Sequence, residues 1–295
     1  EGREFALRVA NALWLQEGYD VLEEFRRVMA MHYGGAFERV DFQADPEAAR
    51  GAINGWVEER TAGRIRDIIP AGVLNALTRL VLANAIYFKA AWLRPFPEGN
   101  TADEPFWLTA DQSVPVPMMK AAGRFGYGES ADAQVLSMPY VGGEVSMTVV
   151  LPRVREGLSA LEQSLTAGKL TEWSQLGSRE VIVGLPRFEI TSQLRLDGVL
   201  RQLGMTDAFS GQADFSGIGG RRDLFISAAL HKAFVDVNEE GTEAAAATAI
   251  VAALAMAPEP GRPPVFRADH PFLFLIRHDP TGAVLFIGRV TDPRD

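Results

Sequence analysis

Four histidines, His32, His231, His270 and His278, are the side chains of this 295-residue sequence best suited to act as a general base near neutral pH. A base needs a nucleophile or a metal to work with. The sequence has no Gly-x-Ser-x-Gly elbow and no Ser-x-x-Lys. Without cysteine it also has no thiol nucleophile, no disulfide framework and no Cys-based zinc site. His32, His270 and His278 each have a structural reading beside the chemical one, and His231 reads as a core histidine. His32 closes a helical pattern next to Gly34-Gly35, where a cation suits the helix dipole. His270 precedes Pro271, which favours extended backbone, and His278 opens the turn His278-Asp279-Pro280-Thr281-Gly282. Asp236-x-Asn238-x-Glu240-Gly241 has the opening of a calcium loop, but its twelfth position is Ala247, which cannot be the bidentate ligand. Gly217-x-Gly219-Gly220 lacks the third glycine and the following helix of a dinucleotide loop. The expectation is no enzyme, no metal and no cofactor.

One pattern remains that could do physical work, Asn238 to Thr248, NEEGTEAAAAT. Alanine favours helix, and Thr242 with Glu243 could open one running to Ala257. Read at period two, the segment is a strand. Thr242, Ala244, Ala246, Thr248, Ile250 and Ala252 then share one face, and Glu243 with Ala245, Ala247 and Ala249 share the other. The first face carries no charge and nothing bulky before Ile250, so the segment could slide between two existing strands. On this window alone both readings stand, and helix is the commoner outcome.

The elements around it are extended. Leu224 to Ser227 alternates like a strand, and Ala233 to Val237 is a second extended run beyond His231-Lys232. Pro258, Pro260, Gly261, Pro263 and Pro264 then predict an exposed tether without regular structure. Val265 to Arg277 and Ala283 to Gly288 read as two apolar strands joined by the His278–Gly282 turn. Upstream, Phe5 to Leu15 reads as a strand and Val21 to Tyr33 as a helix. Residues 47–62 form a second helix, with Asp45 as cap and Pro46 in its first turn. Strands dominate 80–96 and 114–152, and helices are expected near 156–166 and 195–203, the latter ending at Gly204. The chain is α+β with large antiparallel sheets.

Composition narrows the partners. At 47% hydrophobic and 23% charged, the sequence suits one large globular domain, and neither a linker nor an internal repeat divides it. A net charge of −9 without any basic block argues against nucleic acid and anionic membranes. No run is long enough to span a bilayer, and Val265 to Ile276 already contains Arg267, Asp269 and His270.

Five blocks, in order and spacing, resemble the serpin family. They are LVLANAIYFKAAWLRPF (80–96), VLSMPYVGGEVSMTVVLP (135–152), LPRFEITSQLRLDGVLRQLGMTDAFS (185–210), HKAFVDVNEEGTEAAAAT (231–248) and FRADHPFLFLIR (266–277). The resemblance implies a single serpin domain over 1–295, with a large central mixed sheet, further sheets, surrounding helices and an exposed reactive-centre loop. Residues 239–264 would be hinge and loop, the hinge being Glu239, Glu240, Gly241, Thr242, Glu243, Ala244, Ala245, Ala246, Ala247 and Thr248. Family spacing from Gly241 places the scissile bond at Ala255–Met256, or one residue to either side at Leu254–Ala255 or Met256–Ala257. Asn84 and His231 would form the hydrogen-bonded pair beneath the opening strands, and Trp92 the tryptophan where the hinge enters.

The implied partner is a serine or cysteine protease, held as a covalent acyl-enzyme. The protein would be a monomer, with polymerisation by loop–sheet addition as a liability. The absent cysteines leave the compartment open, while the resemblance favours an extracellular placement and a prokaryotic source. Because the Phe5–Leu15 strand stands almost at residue 1, the resemblance also implies an N-terminal truncation that removes several helices and a strand. A non-inhibitory binding or chaperone-like role would go with a bulky or charged inward hinge residue, and none occurs. An inert truncated form and a hydrolase with a dispersed triad stand beside these two readings.

Overall fold

A computed structural model describes residues 5–33, 37–242 and 262–294. Its strands are β1 (Phe5–Gln16), β2 (Phe37–Val40), β3 (Leu80–Ala91), β4 (Ala102–Trp107), β5 (Ser113–Glu129), β6 (Ala133–Pro139) and β7 (Val145–Pro152). They continue with β8 (Ser178–Pro186), β9 (Phe188–Arg195), β10 (Ala228–Val237), β11 (Gly241–Thr242), β12 (Val265–Arg267), β13 (Phe272–His278) and β14 (Ala283–Val290). The helices are α1 (Glu23–His32), α2 (Pro46–Arg60), α3 (Leu158–Gln163), α4 (Ala167–Glu172), α5 (Asp197–Gln202) and α6 (Ser216–Gly219). One sheet has the order β2-β1-β3-β11-β10-β9, and an eight-stranded sheet has the order β12-β8-β5-β6-β7-β13-β14 with β4 on β5.

The chain divides into two compact units. One comprises Leu7–Tyr87 and Ile190–Val235, the other Glu1–Ala6, Phe88–Glu189 and Asp236–Asp295. In the first, α2 starts where expected: Asp45 accepts a hydrogen bond from the Ala48 amide at 2.9 Å, and Pro46 follows where no amide is needed. Its inner face sets Ile53 and Val57 into a core with Phe42, Ile65, Ile68, Ile69 and Val81. Helix α1 buries no residue fully, and Phe25 anchors it by an edge-to-face contact with Phe37 at 5.9 Å. Here β10 pairs in parallel with β3, from Ala228 opposite Val81 to Phe234 opposite Tyr87.

In the other unit, all eight residues of β7 are buried. This strand is covered on both faces, so the polar Ser146 and Thr148 are buried along with Val145, Met147, Val149, Val150 and Leu151. Leu158, Leu161 and Trp173 pack with Val135, Val150, Leu273 and Leu275.

Three sequence expectations need correction. Leu224 to Ser227 is not a strand: Leu224 and Ile226 are buried, but the Ile226 amide bonds to Ala208 O at 2.8 Å instead of joining a ladder. Strand β10 runs unbroken through His231 and Lys232. Val265 to Arg277 is two strands. The Asp269 amide turns back onto Arg267 O at 2.9 Å, and Pro271 has no amide with which to continue a ladder. The chain therefore leaves β8, the partner of β12, and resumes beside β7 as β13.

Candidate functional site

Asn238 to Gly241, where the hinge is expected, form a tight reverse turn. The Asn238 amide bonds to Gly241 O at 2.9 Å, and Asn238 Oδ1 accepts from the Glu240 amide at 3.1 Å. Asn238, a calcium-loop position by spacing, thus spends its side chain on its own turn. The backbone of the turn is held from outside: the Trp92 amide donates to Glu240 O and the Phe96 amide to Glu239 O, both at 2.8 Å. The indole N–H of Trp92 donates to Asn238 O at 2.9 Å.

Beyond the turn, β11 lies between β3 and β10. Gly241 and Thr242 pair with Ala91 and Ala90 on one side, and Thr242 pairs with Val237 on the other. Gly241 is required here. Its φ is 154°, and a Cβ at this position would lie 2.1 Å from Ala90 O and 2.7 Å from Ala91 Cα. Thr242 is fully buried, and its Oγ1 lies 2.7 Å from the Tyr140 hydroxyl. Tyr140 is itself fully buried and stacks on Trp92, with centroids 4.5 Å apart and planes 10° from parallel. Burial pushes the phenol of Tyr140 far above its ordinary value, so it remains a neutral hydroxyl that Thr242 can meet.

Glu239 is the buried charge of the site, 3% exposed. Arg187 grips it with Nε at 2.7 Å from Oε2 and Nη2 at 2.6 Å from Oε1, and Thr101 Oγ1 donates to Oε1 at 2.5 Å. Burial pushes the carboxyl up, but the hydrogen bonds from Arg187 and Thr101 outweigh it and hold it below the ordinary range. A buried anion is tolerated because its oxygens are satisfied.

Asn84 and His231 lie in the other unit, as register partners on β3 and β10. His231 Nδ1 bonds to Asn84 Oδ1, and Asn84 Nδ2 donates to Asn11 Oδ1. Since Oδ1 only accepts, His231 carries its proton on Nδ1. Burial pushes the His231 pKa below its ordinary value, favouring the neutral ring.

The other histidines lie elsewhere. His270 has Nδ1 at 2.9 Å from Asp269 Oδ1 and Nε2 at 2.8 Å from Pro152 O, tying the bend after β12 to the end of β7. His278 Nδ1 bonds to Thr281 Oγ1 at 2.7 Å inside its turn, and His32 ends α1. No His, Asp and Glu cluster able to hold a metal occurs among the described residues. Glu243, Ala244, Ala245, Ala246, Ala247 and Thr248 of the expected hinge, and Leu254, Ala255, Met256 and Ala257 around the expected bond, lie outside the described residues.

Sequence reasoning missed Tyr140, Arg187, Thr101 and Asn11. Tyr140 and Arg187 stand inside blocks that carry the resemblance, but nothing in their spacing marks them as partners of residues 102 and 52 positions away.

The sheet orders define a large α+β protein of serpin architecture. Uncleaved ovalbumin matches with a TM-score of 0.89 at 36% identity, over 99% of this chain and 75% of that one. Serpin48 of the insect Tenebrio molitor matches with a TM-score of 0.88 at 39% identity, over 99% and 77%. The family described as Serpin (serine protease inhibitor) matches residues 1–293, and the chain belongs to it. Relatives include leukocyte elastase inhibitor A of Rattus norvegicus, 46% identical over 99% of this chain and 79% of the relative. The leukocyte elastase inhibitor of Homo sapiens is 44% identical over the same shares. These vertebrate relatives do not support the expected prokaryotic source, and nothing in their names supports an extracellular placement.

Proposed function

We propose that this chain inhibits serine proteases by acting once as a suicide substrate, and that it turns over no substrate of its own. The reading treats 1–295 as one serpin domain with 239–264 as hinge and reactive-centre loop. The observation that carries it is the seat of Thr242. The first inward residue of a small-residue hinge is buried between β3 and β10, so further residues can add behind it as a strand.

The target's nucleophile attacks the Ala255 carbonyl, an ester forms, the bond to the Met256 nitrogen breaks, and the freed amine takes up a proton. Insertion of the hinge then carries the acylated protease along and distorts its active site before water can release it. Asn84 with His231, and Trp92 with the Glu239–Arg187 pair, control where the sheet parts to admit the hinge.

Leu254, Ala255 and Met256 are small or apolar, which fits a small or apolar primary pocket and leaves a buried pocket carboxylate unpaired. Elastase-, subtilisin- or chymotrypsin-like targets follow, and trypsin is excluded. The elastase-inhibitor relatives support this choice. Incubation with elastase should give a complex that survives a denaturing gel, and a C-terminal fragment beginning at Met256. Cleavage without complex, or a fragment beginning at Pro263, would sink the reading.

A further inference from the structure

A strand that enters a sheet can do so in more than one register, and period-two geometry makes the choice severe. In register, the hinge turns Thr242, Ala244 and Ala246 inward. A slip of one residue turns Glu243 inward instead and buries its carboxylate between β3 and β10. Alanine side chains cannot resist such a slip, because consecutive alanines look alike on either face. Something at the mouth of the sheet must distinguish Thr242 from its neighbours.

We propose that Tyr140 is that positioning residue: its hydroxyl recognises Thr242 and fixes the register in which the hinge adds to the sheet. This rests on the inhibitory function proposed for the chain. The Tyr140 hydroxyl lies 2.7 Å from Thr242 Oγ1 in a fully buried contact. The ring cannot follow a slipped hinge, because it is stacked on Trp92, whose indole and amide hold Asn238 and Glu240. Gly241 adds a steric stop, since only a residue without Cβ fits against Ala90 O and Ala91 Cα. Neither Gly241 nor an alanine offers a hydroxyl. A one-residue slip therefore offers the phenol either Gly241, which has no side chain, or Glu243, whose carboxylate would be buried in the sheet.

The test is Tyr140→Phe, which keeps the ring and its stacking. On an elastase that the parent inhibits, the variant should associate at the parent's rate within about twofold but need several-fold more inhibitor per protease inactivated, the excess appearing as cleaved chain. Adding Thr242→Val should leave the stoichiometry raised, because the hydroxyl pair that marks the register is then absent from both sides. An unchanged stoichiometry would overturn the proposal, as would a loss carried wholly by the association rate. Amide hydrogen exchange at Thr242 in the uncleaved chain needs no protease. Tyr140→Phe should speed it by roughly tenfold, and Tyr140→Phe with Thr242→Val by less. If the parent forms no complex but exchange responds, the inhibitory reading fails and the register contact stands. If exchange is unmoved, the contact itself is refuted.

Discussion

Asn84 and His231 face each other across the parallel strands β3 and β10, and the amide between them also reaches Asn11 on β1. One side chain thus links three strands by polar contacts. Such a link is released as a unit, since breaking either half strands a partly buried donor or acceptor.

A double-mutant cycle with Asn84→Ala and His231→Ala, read by thermal or denaturant unfolding, should show coupling on the order of 1 kcal/mol. Additive losses would place the two residues in unrelated roles. The pH dependence has a definite sign. Burial depresses the His231 pKa below 6.5 in the folded chain, so the unfolded chain takes up the proton first. The stability tied to the neutral ring is full above about 6.5 and declines as pH falls from there towards the depressed folded value. His231→Gln should flatten that part of the stability profile.

Gly241→Ala should displace β11. The added Cβ would meet Ala90 O at 2.1 Å and Trp92 N at 2.9 Å, and these are backbone atoms that cannot swing aside. A strain of at least about 1–3 kcal/mol is expected, relieved by β11 leaving the sheet. Faster amide exchange at Thr242 and at Trp92, which bonds to Glu240 O, would report it. Parent-like exchange at both would show that the close approach is absent.

Arg187→Ala leaves the Glu239 carboxylate buried with Thr101 as its remaining side-chain donor. Half of Arg187 faces solvent, so water will replace part of what is lost, and a destabilisation on the order of 1–3 kcal/mol is expected. Acid sensitivity should change with it. The Glu239 carboxyl is held below 4.5, so its contribution is present above that pH and lost as pH falls through the folded value. In Arg187→Ala this acid limb should shrink, and an unaltered limb would assign it to other carboxylates.

Thr242→Arg puts a guanidinium where a fully buried threonine sits. An unpaired charge there costs several kcal/mol, so the hinge cannot add to the sheet in register. Target protease should cleave the variant and emerge active, with no complex on a denaturing gel. Complex formation at the parent's rate would mean that strand addition is not the mechanism.

Much of this was written locally. The cap at Asp45 with Pro46 and the extended run of β3 follow from residue type and spacing alone, because capping and period-two burial are short-range physics. The ordered blocks were enough to point to the family. Other elements were decided by partners far along the chain. Leu224 to Ser227 alternates like a strand, yet its amides find Ala208 and Leu80 rather than a full ladder. The apolar run from Val265 breaks because β8 and β7 compete for its two halves. Tyr140 and Arg187 carry no local mark at all. Their roles arise because folding brings them to Thr242 and Glu239, and hydrogen bonding between distant residues depends on tertiary placement that no periodicity encodes.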